Sequence, residues 1–420
     1  MDKFKVVGGN RLNGKIKVSG AKNSCLPILS ATILADGDYF IDNVPNLIDV
    51  KTMLKLLKGI GIDNEFQNNR VFLKNNGDGD LWTAPYELVK TMRASVLVLG
   101  PLLAKKGSAK VSLPGGCAIG ERPVDQHIKA LSQMGAKIDI EHGYIVAAAE
   151  KLKGTEIYFD LVTVTGTENI MMAATLAEGE TVLYNSAQEP EVVDLARFLK
   201  KMGANISGEG TNVIKIKGVS ELCPADYTVM TDRIEAGTIL CAVAGAGGDV
   251  LVEDAPVEAM NATIDKLLET GCEINIINNN TLRIRSDGIL KSADVVTQPY
   301  PGFATDMQAQ FMAIMTKAKG LSVITENIFE NRFMHVAELK RMGADIRLKD
   351  RSAVVKGVEK LTGADIMASD LRASAGLVIA ALMAEGESNI HRIYHLDRGY
   401  EEFDKKMNLL GADIKRVKDE

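Results

Sequence analysis

Apolar positions along this chain fall into two helical patterns and one strand pattern, and the succession returns six times. The first kind of helix is apolar on every side, as in Ala375-Gly-Leu-Val-Ile-Ala-Ala-Leu-Met-Ala384, which predicts a helix buried all round. The second is amphipathic. Val192, Val193, Ala196, Phe198, Leu199 and Met202 alternate with Asp194, Arg197 and Lys200, and Val124, Ile128, Leu131 and Met134 recur at helical spacing before Gly135. Short β-like runs follow, such as 136–141 and 144–148.

Glycines punctuate this pattern at fixed places. One set, in phrases such as Met134-Gly-Ala-Lys-Ile and Met342-Gly-Ala-Asp-Ile, falls at 61, 135, 203, 271, 343 and 411, at intervals of 74, 68, 68, 72 and 68. A second set (37, 107, 179, 247, 320 and 386) leads the first by 23 to 28 residues and is expected to stop the apolar helices. Each unit therefore reads as helix, glycine turn, strand, loop, second helix, glycine turn and further strands. That succession predicts an α/β fold with helices packed on sheets. Six units of about 70 residues account for all 420, and two lobes of three suit the length better than one core. The spacing puts the boundary near Cys223-Pro-Ala-Asp226.

Composition narrows the class. Apolar residues at 46% and charged residues at 25% describe an ordinary globular protein. The net charge of −6 argues against nucleic acid as a partner. The start, Met-Asp-Lys-Phe-Lys, lacks the apolar core of a signal peptide, and the longest apolar run, Ala94 to Ala104, is too short to span a bilayer. Five scattered cysteines (25, 117, 223, 241 and 272) without a CxxC suit a reducing compartment. A cytoplasmic location away from membranes is expected.

Polar residues collect at one recurring place. The six apolar helices open on Lys22-Asn23, Thr91-Met-Arg93, Thr165-Gly-Thr167, Asp232-Arg233, Thr305-Asp306 and Ser369-Asp-Leu-Arg372. Loops entering the amphipathic helices carry Arg122, Glu330-Asn-Arg332 and Asp397-Arg398. Helix N-termini expose unpaired N–H groups and partial positive charge, so Asp232, Asp370 and Thr167 read as N-caps. Lys22, Arg93, Arg122, Arg332, Arg372 and Arg398 oppose that field, and capping does not explain them. Cations at equivalent positions of repeated units suit a substrate with several phosphates or carboxylates. Asp306 is a carboxylate among cations, either a cap or a group that takes a proton from a substrate hydroxyl.

The stretch from Leu113 to Asp125 stands apart. Three glycines and two prolines surround Cys117, and Arg122-Pro123 opens the next helix. The span Gly107 to Gly135 is 28 residues, against 23 to 25 in the other units. It is either a glycine-rich turn around an inert buried thiol or a lid that brings a thiol to an anion site. His391 and His395 are spaced i, i+4 but lack further ligands, so no metal site is indicated.

Ser19-Gly-Ala-Lys-Asn23, Leu113-Pro-Gly-Gly-Cys117 through Asp125, Thr305-Asp-Met-Gln-Ala-Gln310, Phe329-Glu-Asn-Arg-Phe-Met-His335 and Asp397-Arg-Gly-Tyr400 resemble, in order and along the whole chain, the enolpyruvyl transferases, and within them the UDP-N-acetylglucosamine 1-carboxyvinyltransferases. The resemblance implies a two-lobed inside-out α/β barrel of six βαβαββ-like units, three per lobe. The lobes would be 21–229 and 1–20 plus 230–420, with the active site in the cleft between them. It implies transfer of the enolpyruvyl group of phosphoenolpyruvate to the 3-hydroxyl of UDP-N-acetylglucosamine, without metal or cofactor, as the first committed step of peptidoglycan synthesis.

By the same resemblance Cys117 acts as the acid and adduct former, and Asp306 as the base. Lys22, Arg122 and Arg398 clamp phosphoenolpyruvate, and Asn23 holds the amino sugar. Pro123, Val124 and Asp125 join Arg122 in substrate binding. Thr163, Val164 and Thr165 meet the diphosphate, and Ile328, Arg93, Arg332 and Arg372 complete the substrate-binding residues. Members of the family often have lysine where this chain has Ile48 and Leu161, and Ser-Val-Gly where it has Thr163-Val-Thr165. Rival readings are enolpyruvylshikimate-phosphate synthase, a silent nucleotide-sugar-binding relative and an RNA-end-processing relative. The thiol loop argues against the first, the set Lys22, Cys117, Asp306 and Arg398 against the second, and the net charge against the third.

Overall fold

The computed structural model describes residues 2–77, 83–89, 92–113 and 124–419, with the side chain of Arg93 outside the description. Cys117, Arg122 and Pro123 therefore lie outside the described residues. The rest forms six four-stranded sheets on one plan. In each, a short strand runs parallel to its neighbour and two antiparallel pairings follow. In the third unit, for example, Glu156–Tyr158 runs parallel to Glu180–Tyr184, which pairs with Val213–Lys217, and that strand with Asn205–Ser207.

The described residues fall into two compact units, one running from Gly20 to Met230 and the other taking residues up to Ser19 and from Thr231 onward. Each has three sheets around three apolar helices. In the first unit these are α1 (Lys22–Ala31), α2 (Leu99–Lys106, continuing a 3-10 segment, Arg93–Val98) and α3 (Val164–Ala174). In the second they are α4 (Arg233–Ala246), α5 (Gln308–Met315) and α6 (Leu371–Met383). All of α5 and all of α6 except Leu371 are buried. Each large aliphatic side chain withdrawn from water there contributes about 1.5–3 kcal/mol at most. A Cβ on Gly376 would sit 2.7 Å from the Ala309 carbonyl oxygen, so α5 and α6 meet backbone to backbone only because that residue is glycine. The strands bury one face and expose the other, as in Val213–Lys217, which is the inside-out α/β arrangement.

The first glycine set does what its phrase suggests. Residues 61, 135, 203, 271, 343 and 411 all have φ between 95° and 106°, which a side chain rarely tolerates. The second set behaves differently from the expectation. Only Gly107 and Gly247 directly follow their helices. In three other units a fully buried threonine ends the helix first, and its hydroxyl donates to the carbonyl three residues back: Thr32 to Leu29, Thr175 to Met172 and Thr316 to Ala313. Gly37 then opens the following strand, and Gly179 and Gly320 immediately precede theirs.

The chain visits its units out of order. Asp2–Val7 inserts between Glu387–His391 and Asp413–Lys418, and Leu12–Lys17 runs parallel to Gly248–Glu253. Conversely, Tyr227–Thr228 pairs with Gly37–Asp42. Among the described residues no helix is long and apolar enough to cross a membrane.

Candidate active site

In the unit that takes residues up to Ser19 and from Thr231 onward, the residues the sequence singles out meet around Asp306. Asp306 lies in a 3-10 turn, Thr305–Met307, that leads into α5. Its side chain does not cap that helix. One oxygen accepts from Arg332 Nη2 at 2.8 Å and the other from Arg372 Nη2 at 2.9 Å. Both arginine side chains are almost fully buried, 3% and 4% exposed, while Asp306 keeps 24% of its surface. A carboxylate oxygen accepts more than one donor, so these two bonds do not exhaust its accepting capacity.

Each arginine rests on a ring. The Arg332 guanidinium lies 5.4 Å from the Phe329 ring centroid, and that of Arg372 lies 5.3 Å from that of Tyr400. Asp370 caps α6 by accepting from the amides of Arg372 and Ala373, which places Arg372 in the first turn, against the helix field. Burial works against its charge, but Asp306, Tyr400 and Asp232 outweigh burial and raise its pKa. Its Nε and Nη1 are buried without a hydrogen-bond partner.

Beneath this group is a buried polar network. Gln310 Nε2 donates to the Asp306 carbonyl at 2.8 Å and lies 3.0 Å from Thr238 Oγ1 and 3.1 Å from the Tyr400 hydroxyl. Thr238 spends its proton on the Ile234 carbonyl at 2.7 Å, so the Tyr400 phenol donates to Thr238 across 2.9 Å. His335 is buried with both ring nitrogens unpaired, and burial pushes its pKa down to about 4. It adds no charge beside Arg332 at neutral pH.

Arg398 ends a 3-10 segment, Ile393–Arg398, and is half-buried. The preceding Asp397 is gripped by both terminal nitrogens of Arg416 at 2.9 and 2.7 Å. A Cβ on Gly399 would be 2.6 Å from Leu371 Cδ2, so glycine lets this segment close onto the start of α6, next to Arg372. Burial and Arg398 lower the pKa of His395.

The unit from Gly20 to Met230 has its own group. Lys22 is the first residue of α1, where Ala21 supplies no side-chain cap. Its ammonium is compensated by Asp49 at 3.4 Å, both side chains being nearly buried. Asp49 is in the first turn of the helix Ile48–Gly59, where a carboxylate suits the helix field. Asn23 follows, half-buried. The neighbouring α3 is capped by Thr163, whose hydroxyl accepts from the Gly166 amide at 3.2 Å. This corrects the expectation for Thr167, which lies inside the helix and donates to the Thr163 carbonyl. Thr163, Val164 and Thr165 are half-buried at the helix mouth.

His127 joins that mouth to the helix Asp125–Gln133. Asn169 Oδ1 accepts from the Gly100 amide and its Nδ2 donates to Val96, which fixes the amide's orientation. Nδ2 also lies 2.9 Å from His127 Nδ1, so that nitrogen accepts and the ring proton sits on Nε2, 3.4 Å from Thr165 Oγ1. Val124, the N-cap, is half-buried, and Asp125 is exposed. Glu168 is fully buried with Oε1 unpaired, and burial, with Glu191 and Glu189 nearby, pushes its pKa well up. Among the described residues no cluster of His, Cys, Asp or Glu is arranged to hold a metal ion.

The model of the EPSP synthase (3-phosphoshikimate 1-carboxyvinyltransferase) family matches residues 6–407. The chain belongs to the enolpyruvyl transferase family. It is 57% identical over 417 residues to a UDP-N-acetylglucosamine 1-carboxyvinyltransferase of Nitratidesulfovibrio vulgaris, covering 99% of each chain. It is 56% identical over 419 residues to one of Desulforapulum autotrophicum, covering all of both. Among solved structures, the enolpyruvyl transferase NikO from Streptomyces tendae superposes with a TM-score of 0.89 at 23% identity, covering 99% of each chain. EPSP synthase from Acinetobacter baumannii gives 0.77 at 21%, covering 100% of each.

Within this enolpyruvyl transferase the structure brings Asp306, Arg332 and Arg372 into direct contact. Lys22-Asn23 and Thr163 to Thr165 sit at the mouths of neighbouring helices. Ile48 and Leu161 are 45% and 72% exposed, so each puts an apolar side chain into solvent. Asp49, His127 and Thr238 take their places in these networks without a signal in the sequence that marks them. Gln310 and Tyr400 stand inside the motifs Thr305–Gln310 and Asp397–Tyr400, and their spacing from Asp306 and Arg398 was the available signal.

Proposed function

We propose that this chain transfers the enolpyruvyl group of phosphoenolpyruvate to the 3-hydroxyl of UDP-N-acetylglucosamine and releases phosphate, in the cytoplasm, as the first committed step of peptidoglycan synthesis. The observation that carries this reading is a partly exposed carboxylate, Asp306, fixed by two buried guanidiniums, in a chain 56–57% identical to carboxyvinyltransferases of that name.

Asp306 takes the hydroxyl proton as the sugar oxygen bonds to C2 of phosphoenolpyruvate. The π electrons of the double bond take a proton at C3 from the Cys117 thiol. The resulting tetrahedral ketal then loses a C3 proton to the Cys117 thiolate, the double bond reforms, and the C2–O bond to phosphate breaks. Lys22, Arg122 and Arg398 hold the phosphate and carboxylate, whose charge the cations stabilise through both steps. Asn23 holds the amino sugar. The Thr163 to Thr165 backbone, at a helix N-terminus, suits the diphosphate. Pro123, Val124, Asp125, Ile328 and Arg93 line the nucleotide sugar, and Arg332 and Arg372 orient Asp306.

The test is phosphate release from phosphoenolpyruvate, measured in parallel with UDP-N-acetylglucosamine and with shikimate 3-phosphate. Release with the nucleotide sugar alone is expected, and release only with shikimate 3-phosphate overturns the reading. Fosfomycin, an epoxide analogue of phosphoenolpyruvate, should alkylate Cys117 faster when the nucleotide sugar is bound. Of the other thiols, Cys25, Cys241 and Cys272 are buried and only Cys223 is exposed. Peptide mass mapping that finds the adduct on Cys223 alone removes the acid role from Cys117.

A further inference from the structure

Glu326 is 1% exposed and lies just past the strand Leu321–Thr325. One of its carboxylate oxygens accepts from the Thr297 hydroxyl at 2.8 Å, the Ile328 amide at 2.8 Å and the Phe329 amide at 3.2 Å. The other accepts from the Thr305 hydroxyl at 2.8 Å. Four donors on a buried carboxylate make a rigid junction, because charge-assisted bonds are short and each one left unmade is costly.

The junction closes a ring of contacts. Glu326 holds Thr305, and Asp306 follows it in the chain. Asp306 pairs with Arg332 at 2.8 Å, Arg332 rests on the Phe329 ring, and the Phe329 amide returns to Glu326. Thr297 Oγ1 also accepts from the Asn327 amide at 3.0 Å, so the loop from 326 to 329 is fixed from both sides. The turn that carries Asp306 and the loop that leads to Arg332 come from separate elements, and Glu326 is bonded to both.

We propose that Glu326 is a positioning residue for the transfer reaction: through Thr305 on one side and the 328–329 amides on the other, it sets the placement of Asp306 against Arg332. This rests on the reading of Asp306 as the group that takes the hydroxyl proton. It assigns Thr305 the role of a tether acting through its hydroxyl.

Thr305→Val keeps the shape of the side chain and removes the donor, while Thr305→Ser keeps the donor. Glu326→Gln replaces one acceptor oxygen with an amide that faces donors. Steady-state kinetics in the full chain should show kcat down about ten- to a hundredfold for Thr305→Val and Glu326→Gln, the scale of one lost positioning contact. KM for UDP-N-acetylglucosamine should change less than about threefold, and Thr305→Ser should stay within about threefold of the native kcat. Because both single changes break the same link, Thr305→Val combined with Glu326→Gln should be little worse than Glu326→Gln alone. Melting temperatures identify a variant that merely unfolds, and Thr305→Val then decides. Native kcat in Thr305→Val, alongside an inactive Asp306→Ala, overturns the proposal alone. A fully active Asp306→Ala overturns the reading of Asp306 beneath it.

Discussion

Replacing Asp306 by alanine should destabilise its unit as well as stop turnover. The carboxylate is the anion bonded to two guanidiniums that are 3% and 4% exposed, so its removal leaves two buried cations facing each other. Breaking a buried ion pair by deleting one partner costs about 3–5 kcal/mol. Asp306 is itself 24% exposed, so water reaches the gap and about 2–4 kcal/mol is expected. In a unit of this size each kcal/mol moves the melting temperature by about 2–4 °C, so calorimetry should show a drop of roughly 4–16 °C. Two controls separate charge from packing. Asp306→Ala combined with Arg332→Met removes the repulsion and should recover at least half the loss. Inorganic phosphate should raise the melting temperature of Asp306→Ala more than that of the native chain, since an added anion replaces the missing one. A loss below about 1 kcal/mol, or a double variant as unstable as the two single losses added together, would refute the reasoning.

Glu168 carries a pH signature in the other unit. Its carboxyl has a raised pKa through burial and neighbouring Glu191 and Glu189. The folded state therefore keeps its proton above pH 4.5, where the unfolded chain has released it, and stability falls as pH rises toward the folded pKa. Glu168→Gln should flatten that slope in melting curves taken between about pH 5 and 8; an unchanged slope removes the assignment. Gly343 (φ 96°) and Gly59, which ends its helix with open space where a Cβ would go, should respond oppositely to alanine. Gly343→Ala should lose about 1–2 kcal/mol and Gly59→Ala should gain about 0.4–1 kcal/mol, measured by urea unfolding. Equal effects would show that backbone conformation is not what selects glycine at 343.

The sixfold plan was readable because each unit repeats one backbone requirement, a left-handed residue after its second helix, which only glycine meets cheaply. The all-round apolar helices were readable for the same kind of reason, since burial on every side leaves no polar stripe. The helix stops at Thr32, Thr175 and Thr316 were not, because a threonine bonding to its own helix looks like any other threonine in an apolar run. Thr163 and Thr167 carry the same hydroxyl one turn apart, and only backbone geometry shows which one caps. Arg332 and Arg372 stood out as cations that capping does not explain, and Asp306 as a carboxylate among cations. Glu326 did not, since two of its four donors are backbone amides that any residue type would supply, and Asp49 is distinguished only by where folding brings Lys22. Pairing of the first two strands with segments more than 200 residues away leaves no local mark in the sequence.

The insertion of Asp2–Val7 between Glu387–His391 and Asp413–Lys418 has a consequence on the ribosome. Of the described strands, the first to be made has both hydrogen-bonding edges assigned to the last two. At translation rates of about 5–20 residues per second it waits roughly 20–80 seconds for them. Through that interval the unit from Gly20 to Met230 can complete its three sheets, while the leading strand stays unpaired, with both edges open to other chains. Among the described strands this one is therefore exposed to aggregation the longest, and a chain cut short before Glu387 leaves it without either partner.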